Sequence, residues 1–427
     1  ISLGGGTFNT GTLTFNSTDS VDIAEDSDMN IAGTNTGGTT NLSSTGGISD
    51  SSNSSIDVGA LTLNGTSIHL GAGASNTFNA TTLNFNSAGA VDIAEDSDMD
   101  IVGANTAAST TLSSTGALSD AGATSLDITG LGNFSGASIS LGGGTFNTGT
   151  LTFNSTGAVN IAEDSAMDIV GANTAGSATL SSTGALSDAG ATSLDITGLG
   201  DFSGTSIDLG GGTFNTGTLT FNSAGAVTID EDSSTLLSGT STASSLSLNS
   251  TAGIENDATA NLSVTNNANF AGASISLGSV GGDSMNFGTL TFDSAGTVTI
   301  HEDSSTLLTS TSNAGSLELF SAGALEDEGN LSVTGLATLS GTSITIGGAG
   351  QTTNFGSLNF NSTGDVSLQE DSDTDFVGSN SANVLTLTSS GISTFTTGST
   401  LDAATLDLLT QTVALTGDNL VDTIEVK

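Results

Sequence analysis

The chain has 427 residues and carries 44 acidic side chains against one basic side chain, Lys427, so its formal net charge is −43. This balance excludes nucleic acid and anionic membrane surfaces as favourable partners, and no apolar run is long enough for membrane insertion. Cysteine and proline are both absent, which excludes disulfide scaffolds and thiolate metal sites and fits a structure made largely of paired strands.

One motif occurs six times along the chain, and its clearest copy spans residues 151–169. Each copy has a phenylalanine anchor, and successive anchors lie about 70 residues apart. The anchors are Phe15, Phe85, Phe153, Phe221, Phe292 and Phe360. Such a repeat favours one quasi-linear domain over several ordinary ones. We predict a single continuous domain over residues 1–415, with repeats at 1–67, 68–138, 139–206, 207–274, 275–343 and 344–415, and a terminal segment at 416–427 that caps or continues it.

Each long repeat contains a shorter echo, so that Phe153 is followed by similar segments at Leu180 and Phe202. Alternating runs such as residues 151–153 and 159–161 predict short strands with one buried face, and the Gly, Ser, Asn and Asp residues between them predict turns. An antiparallel sandwich also has many short strands, but it does not require an echo in every coil-sized unit. The predicted fold is therefore all-β, a right-handed parallel β-helix (β-solenoid) of about 18 coils in six three-coil repeats.

The first echo step of each repeat, such as that from Phe153 to Leu180, is longer than the other two steps. Residues 155–171 align with residues 182–198 without a gap, which places the excess in residues 170–178. We predict that this segment forms a loop that bulges from every third coil. Equivalent features of successive repeats are then expected on one face of the solenoid, about 14 Å apart.

Several side chains are expected in the core or on the surface from their place in the pattern. The 18 phenylalanines, together with Met29, Met99 and Met167, are expected in the core. His69 lies between two apolar residues and is expected to point outward, and His301 replaces an alanine of other copies and is expected to be a surface variant.

The coils that read Phe-Asn-Ser-Thr-Gly-Ala-Val and Gly-Ala-Leu-Ser-Asp-Ala-Gly-Ala-Thr-Ser-Leu-Asp-Ile-Thr-Gly resemble the repeats of filamentous-haemagglutinin-type exoproteins. These are large bacterial secreted proteins, exported by two-partner or autotransporter routes. The resemblance covers residues 1 to about 415, although the secretion domain of the family is not seen. It implies a right-handed parallel β-helix, an extracellular or cell-surface location, and a role as adhesin, biofilm component or toxin-carrying stalk. It implies no catalytic residues.

One constellation recurs in all six repeats, an acidic corner that follows the Val-x-Ile strand. Its residues are Glu25, Asp26, Asp28, Glu95, Asp96, Asp98, Glu163, Asp164, Glu231, Asp232, Glu302, Asp303, Glu370, Asp371 and Asp373. Ca²⁺ takes six to eight oxygen ligands from carboxylates and carbonyls, so two or three carboxylates could supply part of its coordination shell. Each corner is a candidate calcium site, a site of calcium bridging between chains, or a solvated turn. Paired carboxylates also serve glycosidases, but six near-equal pairs without an aromatic platform indicate a scaffold motif, so no enzymatic activity is expected.

These features favour a structural extracellular rod or stalk of a bacterial surface adhesin, which acts by extension and by contact with a surface or glycan ligand. The alternative is a self-assembling biofilm or sheath filament with end-to-end β-stacking and bridging calcium. Homo-assembly, end to end or lateral, is the other expected interaction, and no cofactor other than calcium is expected.

Overall fold

In the computed structural model, residues 1–408, 412–416 and 418–426 are described. Their regular structure consists of parallel β-strands stacked as a β-solenoid, which confirms the predicted fold class, with about 21 turns in place of the expected 18. The chain forms two compact units, Ile1–Gly217 and Thr218–Lys427. The single continuous domain over residues 1–415 stays a prediction.

The strands of the first unit are short, and most have three to twelve residues. They are β1 Ser2–Leu3, β2 Val21–Glu25, β3 Met29–Ile31, β4 Thr34–Gly37, β5 Thr40–Ser44, β6 Ile48–Asp50, β7 Ser55–Gly65, β8 Ile68–Leu70, β9 Thr77–Ser87, β10 Ala90–Glu95, β11 Met99–Ile101, β12 Ala104–Ala107, β13 Ser109–Ser114, β14 Ala117–Asp120, β15 Ser125–Gly136, β16 Ser138–Leu141, β17 Thr145–Ser155, β18 Ala158–Glu163, β19 Met167–Ile169, β20 Ala172–Ala175, β21 Ser177–Ser182, β22 Leu186–Asp188, β23 Ser193–Gly204 and β24 Ile207–Leu209. The next strand, β25 Thr213–Ser223, contains the unit boundary.

The second unit has strands of the same kind. They are β26 Ala226–Glu231, β27 Thr235–Leu237, β28 Thr240–Ala243, β29 Ser245–Ser250, β30 Gly253–Asn256, β31 Asn261–Ala271, β32 Ser274–Leu277, β33 Ser284–Asp293, β34 Thr297–Glu302, β35 Thr306–Leu308, β36 Thr311–Ala314, β37 Ser316–Ser321, β38 Leu325–Asp327, β39 Asn330–Gly341, β40 Ile344–Ile346, β41 Thr353–Ser362, β42 Val366–Glu370, β43 Thr374–Phe376, β44 Ser379–Ser389, β45 Ile392–Phe395, β46 Thr400–Leu408, β47 Thr412–Leu415 and β48 Asp418–Val426. In the predicted terminal segment, β48 continues the ladder by pairing with β46.

The predicted stacking of the shorter echoes is confirmed within the first unit. Leu42 pairs with Leu63, and Leu63 pairs with Phe85, so that like side chains form a column along the solenoid. In the same way Leu112 pairs with Phe134, and Phe134 pairs with Phe153. Each of these steps is one coil.

The interpretation of the long echo step is wrong. Leu112 pairs with Ile93 in the preceding coil, and not with the earlier echo at Phe85. The segment predicted to bulge, residues 170–178, instead forms β20 and the start of β21, which follow one another across a short turn. The long step therefore spans one coil plus about two-fifths of another. The motif consequently reappears about two-fifths of a turn further around the solenoid.

This difference moves the acidic corners off a common face. Glu25 pairs with Ser44 of the next coil. Two coils after Ser44, the ladder reaches Ser87, which pairs with Gly65 of the coil before it. Glu95 lies beyond Ser87 by about two-fifths of a coil of roughly 20 residues. The corners of successive repeats within a unit therefore lie on different sides, and the expected regular spacing of the corners along one face is wrong.

Alternation along each strand fills the interior with aliphatic and aromatic side chains. Val91, Ile93, Met99 and Ile101 have at most 1% exposure, and burial of each such side chain stabilises the fold by about 1.5–3 kcal/mol. The anchor phenylalanines and the three predicted core methionines are buried as expected. Phe320 is an exception to the prediction for phenylalanine, with 45% exposure.

His69 has an exposed side chain, as predicted, and its Nδ1 lies 3.1 Å from Asp92 Oδ2. Among the described residues, none belongs to a helix of the length and apolar character that a membrane span requires.

Candidate functional site: the acidic corners

Each acidic corner begins with a glutamate that points into the solenoid. In β18 the inward side chains are Val159, Ile161 and Glu163, because every second residue of a strand faces the same side. The six corner glutamates have 1–5% exposure. The aspartate after each glutamate is exposed at the turn, as Asp96 and Asp164 show. The alternation was visible in the sequence, but the usual solvation of carboxylates argued against an inward glutamate.

The buried glutamate and its neighbouring aspartate bind backbone amides of the preceding coil. At the second corner, Ala80 N donates to Glu95 Oε1 at 2.9 Å and Phe78 N donates to Asp96 Oδ2 at 2.9 Å. Asp96 N donates in return to Phe78 O at 2.9 Å. Ser97 Oγ also donates to Glu95 Oε1 at 3.3 Å.

The same arrangement occurs at other corners of both units. The donors are the amides 15 positions before the glutamate and 18 positions before the aspartate, in the pairs Thr10–Glu25, Phe8–Asp26, Thr148–Glu163, Phe146–Asp164, Phe287–Glu302, Met285–Asp303, Phe355–Glu370 and Thr353–Asp371. The donor–acceptor distances are 2.8–3.0 Å. The corner is thus one structural device, used repeatedly.

The carboxylates replace carbonyl groups that the ladder lacks at this point. The first half of β9 pairs with β7 of the preceding coil, whereas its strand pairing with the following coil begins only at Leu83, which pairs with Ile101. The intervening residues of the following coil form the acidic turn. An amide left without an acceptor there would cost about 1–3 kcal/mol, so Glu95 and Asp96 close the ladder across a turn.

The third acid of a corner extends the connection to the following coil. Asp98 Oδ1 accepts from Ala117 N at 2.8 Å, and Asp28 Oδ1 accepts from Gly47 N at 2.9 Å. A Cβ atom at Gly116 would lie 2.0 Å from Asp98 Oδ1. Glycine is therefore favoured at position 116, because the Asp98 carboxylate lies where a Cβ atom would be.

Burial gives several of these carboxyl groups raised pKa values. Desolvation raises the pKa of Glu95 and of Glu370 to about 7, against the opposing effect of their backbone hydrogen bonds. It also raises the pKa of Glu163 and of Glu302. Glu95 Oε2 and Glu163 Oε2 are buried without a hydrogen-bond partner, whereas Glu302 Oε2 accepts from Thr306 Oγ1 at 2.8 Å. Burial therefore favours the neutral form of these carboxyl groups more than it would be favoured in an exposed glutamate.

For metal binding, the geometry gives no group of three or more His, Cys, Asp or Glu side chains that could hold an ion within the described ranges. The corner carboxylates bind amides, and their glutamates face the interior. Calcium at the corners stays a prediction from the residue types alone.

A second side-chain connection, which the sequence reasoning missed, lies shortly after the corner. Asn105 is fully buried; its Oδ1 accepts from Phe85 N at 2.9 Å, and its Nδ2 donates to the carbonyls of Val102, Gly103 and Ser125. The preceding Gly103 has a φ of 70°, a left-handed conformation that suits glycine. The recurrent Gly-x-Asn spacing in four repeats was the available signal.

Comparisons with known proteins identify no matching family model, curated protein or solved structure. The resemblance to filamentous-haemagglutinin-type repeats therefore remains an expectation from the sequence.

Proposed function

We propose that the chain is a structural stalk segment of a bacterial surface exoprotein, located outside the cell, which acts by extension and surface contact without catalysis. The observation that carries this proposal is that the recurrent acidic residues of the corners bind backbone amides. Glu95 and Asp96, and their counterparts in four other repeats, hold backbone amides of neighbouring coils. Their hydrogen-bonding capacity serves cohesion between coils.

The remaining composition supports the same role. Small polar residues dominate the outward positions, and the net charge of −43 discourages lateral association. The shorter echoes stack in register, so each added coil buries the same apolar layer and extends a ladder by about 4.8 Å. Length can therefore increase by repetition without new packing solutions.

Small-angle scattering and electron microscopy of the purified chain test the proposal. A compact domain of 427 residues has a radius of gyration of about 22 Å, and a stalk is expected to exceed this value clearly and to remain monodisperse. A radius of gyration no larger than that of the compact domain would contradict the proposal. Filaments that grow with protein concentration would instead support the self-assembling alternative, and their dissolution by a chelator would identify calcium as the bridging ion.

Attachment is tested separately. Beads coated with the chain are compared with uncoated beads and with beads coated with a neutral repeat protein for retention on bacterial or host cell surfaces. Retention of the beads that carry this chain, and of neither control, supports surface contact as part of the function. Equal retention of all three would restrict the role to that of a spacer.

A further inference from the structure

The fifth repeat differs from the others at three outward-facing positions that lie together. His301 occurs where the other repeats have Ala24, Ala94, Ala162, Asp230 and Gln369. Glu318 occurs where they have Asn41, Thr111, Thr179, Ser247 and Thr386, and Phe320 occurs where they have Ser43, Ser113, Ser181, Asn249 and Thr388. The strand registers place the members of each set at equivalent positions. Three coincident changes on one face indicate a local feature that the scaffold does not require.

The three side chains form a contiguous surface, here called the fifth-repeat patch (His301, Glu318 and Phe320). His301 pairs with Phe320 across β34 and β37, and their ring centroids are 5.5 Å apart at an interplanar angle of 53°. His301 Nε2 lies 3.4 Å from Glu318 Oε1. Phe320 is 45% exposed, and the side chain of Glu318 is 56% exposed. An aromatic ring and a carboxylate are thus both open to solvent.

Beyond Phe320 the surface is concave. Phe320 forms one wall of an open groove of about 260 Å³, whose other lining residues include Ser340, Thr342, Asn361 and Thr363. Of the described residues that line this groove, none is charged. The groove leaves room beside the phenylalanine ring for a planar group and for the backbone of an extended segment.

We propose that the fifth-repeat patch binds an arginine side chain of a partner polypeptide. A guanidinium group is planar and weakly hydrated, so it can stack on the phenylalanine ring while it pairs with the Glu318 carboxylate. The net charge of −43 favours approach of a basic segment and disfavours approach of an acidic one. The inference does not depend on the stalk role, because it rests on the local chemistry of the patch.

The arginine does not come from a second copy of residues 1–427. The only basic residue other than histidine in the sequence is Lys427, so a second copy of these residues has no guanidinium to offer. The patch is therefore a site for another polypeptide segment that carries arginine.

Titration of the whole chain with a blocked Gly-Gly-Arg-Gly-Gly peptide, followed by NMR signals of the aromatic ring protons, tests the proposal. The substitutions Phe320→Ser and Glu318→Thr install residue types that other repeats carry at these positions, so they are expected to preserve the fold, as thermal melts will check. Each is expected to weaken binding by about 2–5-fold, the usual range for an exposed cation–π contact or surface ion pair.

Glu326→Ser is the matched control, because it removes one exposed acid on the following strand, where most other repeats carry serine. The proposal predicts unchanged affinity for this variant and at least tenfold weaker binding of a peptide with citrulline in place of arginine. Equal losses in Glu326→Ser and Glu318→Thr, equal binding of the citrulline peptide, or no detectable binding at millimolar peptide would each overturn the proposal. Perturbation of the Phe320 ring by a neutral disaccharide but not by the peptide would overturn it in favour of a glycan site.

Discussion

Replacement of Glu95 by glutamine tests whether the corner glutamates are buried titrating groups. Burial raises the Glu95 pKa from 4.5 to about 7. Between these pH values the folded state retains a proton that the unfolded state has released, so the contribution of Glu95 to stability is most favourable below about pH 4.5 and declines as the pH rises to about 7. A shift of this size corresponds to roughly 3 kcal/mol, at about 1.36 kcal/mol per pKa unit.

Glu95→Gln removes the charge but places an amide where Glu95 Oε2 has no hydrogen-bond partner, which costs about 1 kcal/mol. The variant is therefore expected to be about as stable as the wild type at pH 5, where the wild type has already lost about 1 kcal/mol of this contribution, and about 2 kcal/mol more stable at pH 8. The free energy of unfolding in urea is followed by far-UV circular dichroism, since the chain has neither tryptophan nor tyrosine.

Glu326→Gln is the control, because Glu326 is exposed and its replacement should change stability equally at the two pH values. Comparison of variants at each pH removes the general effect of charge repulsion. If the stability difference between Glu95→Gln and the wild type is the same at pH 5 and pH 8, the buried glutamate does not titrate as its environment indicates, and the reasoning fails.

Four further substitutions test the geometry of the turns by their effect on thermal or urea unfolding. Ser310 has a φ of 59° where the fourth repeat has Gly239 at 62°, so Ser310→Gly is expected to stabilise the fold by about 1 kcal/mol and Gly239→Ser to destabilise it similarly; a loss of stability in Ser310→Gly would contradict this. Gly116→Ala should cost about 1–3 kcal/mol, because the added methyl group displaces Asp98 from the Ala117 amide. An unchanged melting temperature would show that the turn adjusts to the methyl group without loss of stability. Asn105→Ala should cost about 2–3 kcal/mol, since it removes a buried hub of hydrogen bonds, and a loss below about 0.5 kcal/mol would show that water replaces the side chain.

The fold class could be predicted because two independent patterns agreed. Alternation at Val159 and Ile161 predicted inward-facing strand residues, and the echoes at Leu42 and Leu63 gave the coil length; the structure has both features. The long echo step was ambiguous in physical terms. A loop and a rotation of the motif around the solenoid both insert residues between two echoes.

The distinguishing signal lay within the inserted segment. Ala175, Ala178 and Leu180 are all buried, so inward-facing residues continue where a loop would be polar throughout. Alanine is a weak indicator of a buried strand position, because it is depleted from strands and common elsewhere. The buried glutamates could not be predicted from composition, since a carboxylate is ordinarily expected at the surface and only the amides of the preceding coil make the inward position favourable.

The mismatch between sequence repeat and coil has an electrostatic consequence. If the long repeat were three whole coils, the acidic corners of a unit would stack on one face about 14 Å apart, within two Debye lengths at about 0.15 M salt. The offset of about two-fifths of a coil, seen from Ser87 to Glu95, places successive corners on different sides. The same amide-binding device can then recur without aligning its charges, in a chain with 44 acids whose Glu-Asp pair occurs in every long repeat. An engineered repeat that lacks this extra segment should therefore lose more stability at low salt than at high salt, and equal losses at both would show that charge separation is not what the offset provides.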